Sequence, residues 1–438
     1  MTETLAQTEP ALGQLLPLWS VTPFVLMLLG IALIPLQWPH FWEQNRNKAI
    51  LSVVLGLPVA LYVGLHDMTL LSHTTLEYVS FIALLGALFI ISGGVVLRGD
   101  LRATPAINTG FLAIGALLAN VIGTTGASML LIRPMLQTNA PERKHIRHIP
   151  VFFIFIVSNC AGVLTPLGDP PLFLGYLRGV PFFWTMRLFP QWLFVVTILL
   201  ALFYVVDRRA AARETPQDIA RDAREIVPLE IRGRRNFLYL LGVVAAVLFS
   251  PALPEGIVRE TARLGTLLAM TVLSLATTPR EFRSENGFSF GPIAEVAVLF
   301  AGIFATMIPA LEILRTRGAE FGVSQPWHFF WLSGGLSSFL DNAPTYLTFA
   351  SLAQGLGPGS DTAVYLTGGP VSATLLAAIS CGSVFMGANS YIGNGPNFMV
   401  KAIAEEQGIP MPSFVGYMAW SGAILLPIFT VVTFVFFR

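Results

Sequence analysis

Runs of about 20 apolar residues with almost no charge recur along the chain, separated by short polar or basic stretches. A helix needs that length to cross the hydrocarbon core of a bilayer. The pattern predicts spans at 21–38, 49–66, 76–97, 183–206, 235–253, 261–277, 291–314 and 412–437. Four further apolar stretches are interrupted. Gly and Pro fall inside 150–178 and 367–398, which predicts helices broken in mid-membrane. Small polar groups fall inside 105–136 (ANVIGTTGAS, Ala119 to Ser128) and 327–353 (FLDNAPTYLT, Phe339 to Thr348), which predicts re-entrant helical hairpins.

The two broken stretches repeat one motif. SNCAGVLTPLGDPPLF (Ser158 to Phe173) aligns without gaps on SVFMGANSYIGNGPNF (Ser383 to Phe398), with five identities and three close substitutions in sixteen positions. Gly and Pro break a helix, and in hydrocarbon an unwound backbone is tolerated only against protein or a water-filled cavity. Paired interrupted segments in the two halves of a membrane protein point to a transporter binding site.

Composition agrees with a membrane protein. Charged residues make up 12 % of the chain, mean hydropathy is +0.69, and a soluble domain carries about 25 % charged residues. A net charge of +1 excludes a strongly basic nucleic-acid binder. Cys160 and Cys381 lie in apolar segments and read as small buried hydrophobes. The first residues, MTETLAQTEPALGQLLPLW, lack a basic region ahead of the apolar run, so a cleaved signal is not expected.

Basic loops orient the spans, because Lys and Arg near span ends stay cytoplasmic. The segment 207–234 carries Arg208, Arg209, Arg213, Arg221, Arg224, Arg232 and Arg234 and reads as a cytoplasmic linker between an N-terminal repeat (1–206) and a C-terminal repeat (235–438). Arg98 and Arg102 precede the stretch 105–136, and Arg133, Arg143, Lys144 and Arg147 end or follow it, so that stretch enters and leaves on the cytoplasmic side. Crossing counts after the linker open the hairpin 327–353 from outside and place both termini outside. The expected fold is an all-α polytopic membrane protein of inverted repeats, with two re-entrant hairpins and two discontinuous helices.

The motifs LTPLGDPPLF (Leu164 to Phe173), FLDNAPT (Phe339 to Thr345), GANSYIGNGPNF (Gly387 to Phe398) and EVAVLFAGIFATMIPAL (Glu295 to Leu311) resemble the ion transporter superfamily. That superfamily includes NhaD-type sodium/proton antiporters, arsenite permeases and citrate or dicarboxylate carriers. The GDPP and DNAPT motifs are most similar to the NhaD and arsenite-permease side. The dicarboxylate branch carries Ser-Asn-Thr at both hairpin tips, and neither tip here does. The resemblance implies a homodimer in the inner membrane of a bacterium.

Acidic side chains at membrane depth are functional candidates by default. Asp169 in the first break, Asp341 at the second hairpin tip and Glu295 early in a long span are the proton-coupling candidates. Each also has a structural reading. Asp341 and Asp169 are placed to cap the helices that follow them, and Glu295 to make a helix contact. Glu312 reads as a surface ion pair with Arg315. Oxygen donors surround the breaks and tips: Asn120, Thr124 and Thr125; Ser158, Asn159 and Thr165; Asn342 and Thr345; Asn389, Ser390, Asn394 and Asn397. Hydroxyl, amide and unwound carbonyl oxygens suit a hard cation such as sodium, and no His or Cys cluster suits a transition metal. The alternative is that these groups only satisfy the broken backbone. His145, His148 and His328 fall near the interfaces and read as solvated.

Two cargoes follow. A carboxylate that binds a proton or a cation, never both, makes a sodium/proton antiporter. Helix N-termini after Pro171 and Pro396 instead favour an anion, giving a cation- or proton-coupled carrier of citrate or a similar small carboxylate. No cofactor is expected beyond the sodium and protons that move or couple. No nucleophile–base set or phosphate loop points to an enzyme, since GTTGAS (123–128) lacks the Lys-Ser/Thr of a P-loop.

Overall fold

Hydrocarbon offers no partner to a bare peptide group, so a chain this apolar closes its backbone hydrogen bonds within helices. The computed structural model describes residues 12–99, 102–139, 143–214 and 230–438. The first eleven residues of the segment read for a signal, and the middle of the linker with Arg221 and Arg224, lie outside the described residues. Among the described residues, eight helices are long and apolar enough to cross a membrane. The protein is an all-α polytopic membrane protein.

The principal helices in the first half are α1 (Thr22–Gln37), α2 (Asn45–His66), α3 (Met68–Ser92), α4 (Pro105–Asn139), α5 (His148–Ile156), α6 (Pro170–Leu177) and α7 (Phe189–Ala211). In the second half they are α8 (Arg235–Phe249), α9 (Ile257–Thr277), α10 (Arg280–Glu285), α11 (Gly291–Arg317), α12 (Pro326–Ser337), α13 (Asn342–Leu356), α14 (Ala373–Met386), α15 (Gly395–Glu406) and α16 (Phe414–Phe436).

The stretch α4 is helical on both sides of Gly123, which has φ 79° and ψ 155°, a region open almost only to glycine. There the chain turns back, because Asn108 and Asn139 exchange amide hydrogen bonds at 2.8 and 2.9 Å. The second hairpin, α12–α13, also folds back, with the rings of Phe329 and Phe349 6.3 Å apart. The broken helices α5–α6 and α14–α15 sit in the centre. All nine residues of α5 are buried, whereas α2 exposes Val53, Val54, Leu57, Leu61 and Leu65 as a lipid-facing side.

Some bounds differ from the sequence reading. Helix α3 begins at Met68, eight residues early, because the Asp67 carboxylate accepts the Leu70 N–H at 2.9 Å and starts it there. It ends at Ser92, and Val96–Arg98 form a strand, β1, paired antiparallel with β2 (Glu230–Arg232). That ribbon ties the end of α3 to the end of the Arg-rich linker. Helix α9 exists but is not among the eight, since Glu260 and Arg263 occupy its first turns; Arg263 is buried and donates to Ser80 Oγ at 3.1 Å. The second broken stretch starts later and runs longer than 367–398. A β-ribbon, β3 (Ala363–Leu366) with β4 (Gly369–Ser372), fills its expected beginning, and α15 continues to Glu406.

Candidate functional site

The two breaks share their turn geometry. In each, a glycine pair closes the unwound loop: a Cβ on Gly168 would lie 2.2 Å from the Gly162 carbonyl oxygen, and one on Gly393 2.5 Å from that of Gly387. Each break ends on an extended residue, Asp169 (φ −142°, ψ 147°) and Asn394 (φ −155°, ψ 141°), which leads into the next half-helix. Each is clasped to its own hairpin tip by a matching hydroxyl. Thr165 Oγ1 donates to the Asn120 carbonyl, and Ser390 Oγ donates to the Ser338 carbonyl.

Several candidate side chains hold the unwound backbone. Asn120 Oδ1 accepts the Leu164 N–H at 2.9 Å. Asn159 Nδ2 donates to the Ile154 carbonyl at 2.9 Å, and Asn397 Nδ2 to those of Gly387 and Ser390 at 2.9 Å each. Thr345 donates to the Asp341 carbonyl at 3.0 Å, and Ser158 Oγ pairs with Ser128 Oγ at 2.8 Å. Thr125, half-buried, makes no side-chain hydrogen bond among the described residues.

The breaks then meet each other. Asn159 Nδ2 donates to Asn397 Oδ1 at 2.7 Å, and Asn394 Nδ2 lies 3.2 Å from Asn159 Oδ1 and 3.1 Å from Asp169 Oδ1. Asp169 is 1 % exposed and is the centre of this crossing. Its carboxylate accepts from Thr124 Oγ1 at 2.7 Å, from Asn394 Nδ2, and from Asn342 Nδ2. The three donors come from the first hairpin, the second break and the second hairpin. No Lys, Arg or His bonds it among the described residues. An ionised carboxylate away from water needs a countercharge or a proton, and three neutral amides and hydroxyls supply neither. Beside it, Asn342 Oδ1 is a buried oxygen without a partner. Ser383 Oγ and Asn389 Oδ1, both in the second broken helix, are unpartnered too. Such oxygens suit a hard cation.

A sequence family described as "Putative citrate transport" matches residues 13–437. The chain belongs to this family. Membership of the citrate-transport family, with its eight apolar helices, makes the protein a multi-pass membrane transporter of the citrate-transporter-like superfamily. No curated protein matches the chain.

Within this citrate-transport family member, the remaining acidic candidates make no hydrogen bond to the Asp169 carboxylate. Asp341 is half-buried, and its Oδ1 accepts the Ala343 N–H at 3.0 Å, capping α13; its neighbour Asn342 is the residue that reaches Asp169. Glu295 bonds Lys48 Nζ at 2.9 Å on the neighbouring helix α2. Glu312 does pair with Arg315, but at 7 % exposure it is not a surface group. It lines a cavity of about 30 Å3 with Arg178, Ser351 and Gln354. Cys160 and Cys381 are free and buried, as expected.

Asp169 precedes α6 but makes no side-chain capping hydrogen bond to it, and the reading of His148 as solvated is overturned. His148 is buried, with Nε2 2.9 Å from Asp207 Oδ1. Asp207 also accepts from Arg143 at 2.5 Å and from Asn108 at 2.9 Å. Arg143 and His148 are thus folded inward onto one fully buried acid, while Lys144, His145 and Arg147 between them are exposed. The only signal for it in the sequence is a lone Asp at the end of an otherwise apolar helix.

Proposed function

We propose that this protein is a secondary active transporter working by alternating access, with sodium/proton antiport as its reaction and Asp169 as the exchanging carboxylate. The observation that carries this is the Asp169 environment: full burial and three neutral donors, with no cationic side chain. Such a group holds a proton or a metal cation, and competition between the two couples their opposite flows. The donors belong to elements of both halves, so an exchange of ligand at Asp169 is felt by both hairpins. Matching turns in the two breaks support reading residues 1–206 and 235–438 as inverted repeats around the 207–234 linker. The Arg-rich ends joined by β1 and β2 support a cytoplasmic placement of that side, in a bacterial inner membrane.

The second reading is cation- or proton-coupled uptake of citrate or a similar carboxylate. The family match over residues 13–437 favours it. So does the meeting of two helix N-termini, since Asp169 and Asn394, which precede α6 and α15, are hydrogen-bonded to each other.

Reconstituted protein in liposomes separates the two readings. Antiport predicts that sodium added outside collapses an imposed proton gradient with no organic anion present. Uptake of labelled citrate, with sodium inert toward the proton gradient in its absence, would replace antiport by the second reading. Neither response, from protein shown to be inserted, would reject both.

A further inference from the structure

The loop between α9 and α11 encloses a cleft of about 530 Å3 far from the Asp169 carboxylate in sequence, within the roughly 300–1,000 Å3 of small-ligand sites. Its polar wall is Arg280, Arg283, Ser284 and Thr278. Arg283 is 8 % exposed and has no carboxylate partner among the described residues. It donates to the Ile90 carbonyl and, at 2.7 Å, to Ser274 Oγ, and lies 5.2 Å from the centre of the Phe288 ring. Its Nε is buried with no hydrogen-bond acceptor. A guanidinium held this way keeps its positive charge with no carboxylate bonded to it; Glu281, on the same short helix, is exposed and makes no ion pair with it among the described residues. Arg280, exposed at the mouth, makes no hydrogen bond or ion pair among the described residues. The nearby Glu285 is already taken by Arg98.

The apolar surface beside the cleft has a direction. Leu275 and Phe290 line it and are exposed. From Leu275, the exposed Val272 and Leu268 continue at helical spacing along one face of α9. A positive pocket that opens onto an apolar stripe along a membrane helix matches a headgroup joined to an acyl chain.

We propose that this cleft binds an anionic phospholipid, with its phosphate between Arg280 and Arg283 and one acyl chain along Leu275, Val272 and Leu268. Anionic lipids concentrate in the leaflet facing the Arg-rich end; the Arg280 guanidinium can pair phosphate oxygens in two-toothed fashion, and Arg283, whose terminal nitrogens already donate to Ile90 and Ser274, adds its positive charge. Asn286 of the same loop donates to the Gly93 and Val95 carbonyls, and a Cβ on Gly287 would lie 2.5 Å from Arg133 Nη2 of the first hairpin. The bound lipid therefore rests against the segment that meets that hairpin.

Native mass spectrometry of the full chain in detergent, titrated with dioleoyl phosphatidylglycerol or dioleoyl phosphatidylcholine, tests this. One tight phosphatidylglycerol per chain is expected, with phosphatidylcholine and Arg280→Gln each weakening it about tenfold. Arg283→Lys, which keeps the charge but loses part of the hydrogen bonding to Ile90 and Ser274, is expected to weaken it by a smaller factor while the protein stays folded. Equal binding of both lipids, or no change in Arg280→Gln, overturns the site. Thermal protection by inorganic phosphate alone, with phosphatidylglycerol adding nothing, overturns the lipid as occupant.

Discussion

Asn108 and Asn139, 31 residues apart near the two ends of α4, hydrogen-bond each other through both side-chain amides. A straight helix would separate them by about 46 Å at 1.5 Å per residue. Their contact therefore shows that α4 is a hairpin, and Asp207 and Arg143 bind the same pair from outside.

With Cys160 and Cys381 replaced by Ser, an Asn108→Cys, Asn139→Cys double variant is expected to crosslink under mild oxidation or with a short bis-thiol reagent. Gel mobility after cleavage between the two positions reads the result. Absence of crosslinking in folded protein would mean that α4 runs straight.

Gly123→Ala places a side chain in a backbone region that costs about 1–3 kcal/mol for other residues, with its Cβ 3.2 Å from the Leu167 carbonyl oxygen. The melting temperature in detergent is expected to fall by several degrees. Transport should fall further, because the same turn positions Thr124 against Asp169.

Asp169→Asn turns an acceptor into a group that presents its own N–H protons to three donors. Exchange is expected to drop by about a hundredfold, the loss of roughly 3 kcal/mol of ion binding, with normal membrane insertion. Asp341→Asn should be milder, since an Asn still caps α13. If Asp341→Asn proves the more damaging in the liposome assay, the exchanging carboxylate is Asp341.

Asp361, in the loop before the β3–β4 ribbon, accepts from the Thr362 and Thr374 N–H groups at 2.7 and 2.8 Å and from Ser372 Oγ at 2.5 Å. Burial pushes its carboxyl up, but the hydrogen bonds from Ser372 and Thr374 outweigh that and hold it at about 2. A folded value below the unfolded value near 3.9 means stability is present above about pH 4 and is lost as pH falls through about 2. Hydrogen exchange of the backbone at 361–374 should accelerate over that window. Asp361→Asn should already show fast exchange at neutral pH and lose the acid dependence.

The breaks and hairpins are legible in the sequence because Gly and Pro weaken a helix, and hydrocarbon tolerates the unwound backbone only where protein or water covers it. Ser158–Phe173 and Ser383–Phe398 mark the crossing, and Gly123 falls inside a stretch whose small polar residues predict a hairpin tip. Which acid occupies the crossing is not legible. Asp341 and Asn342 are adjacent, and only the direction in which α13 begins decides that one caps the helix while the other reaches Asp169. The Asp207 and His148 pair is 59 residues apart, and no local pattern joins two lone polar residues at opposite ends of apolar helices. The three-residue strands β1 and β2 are too short to show an alternating pattern.

Asp169 is made long before two of its three partners. Asn342 and Asn394 follow it by 173 and 225 residues, and domains form roughly in the order of synthesis. Until the second hairpin arrives, the carboxylate sits in the bilayer with Thr124 as its one side-chain donor of the three. A chain that stops early carries a lone, poorly held acid at its centre. Completion of the protein is thereby registered at the same carboxylate that we propose as the exchanging group.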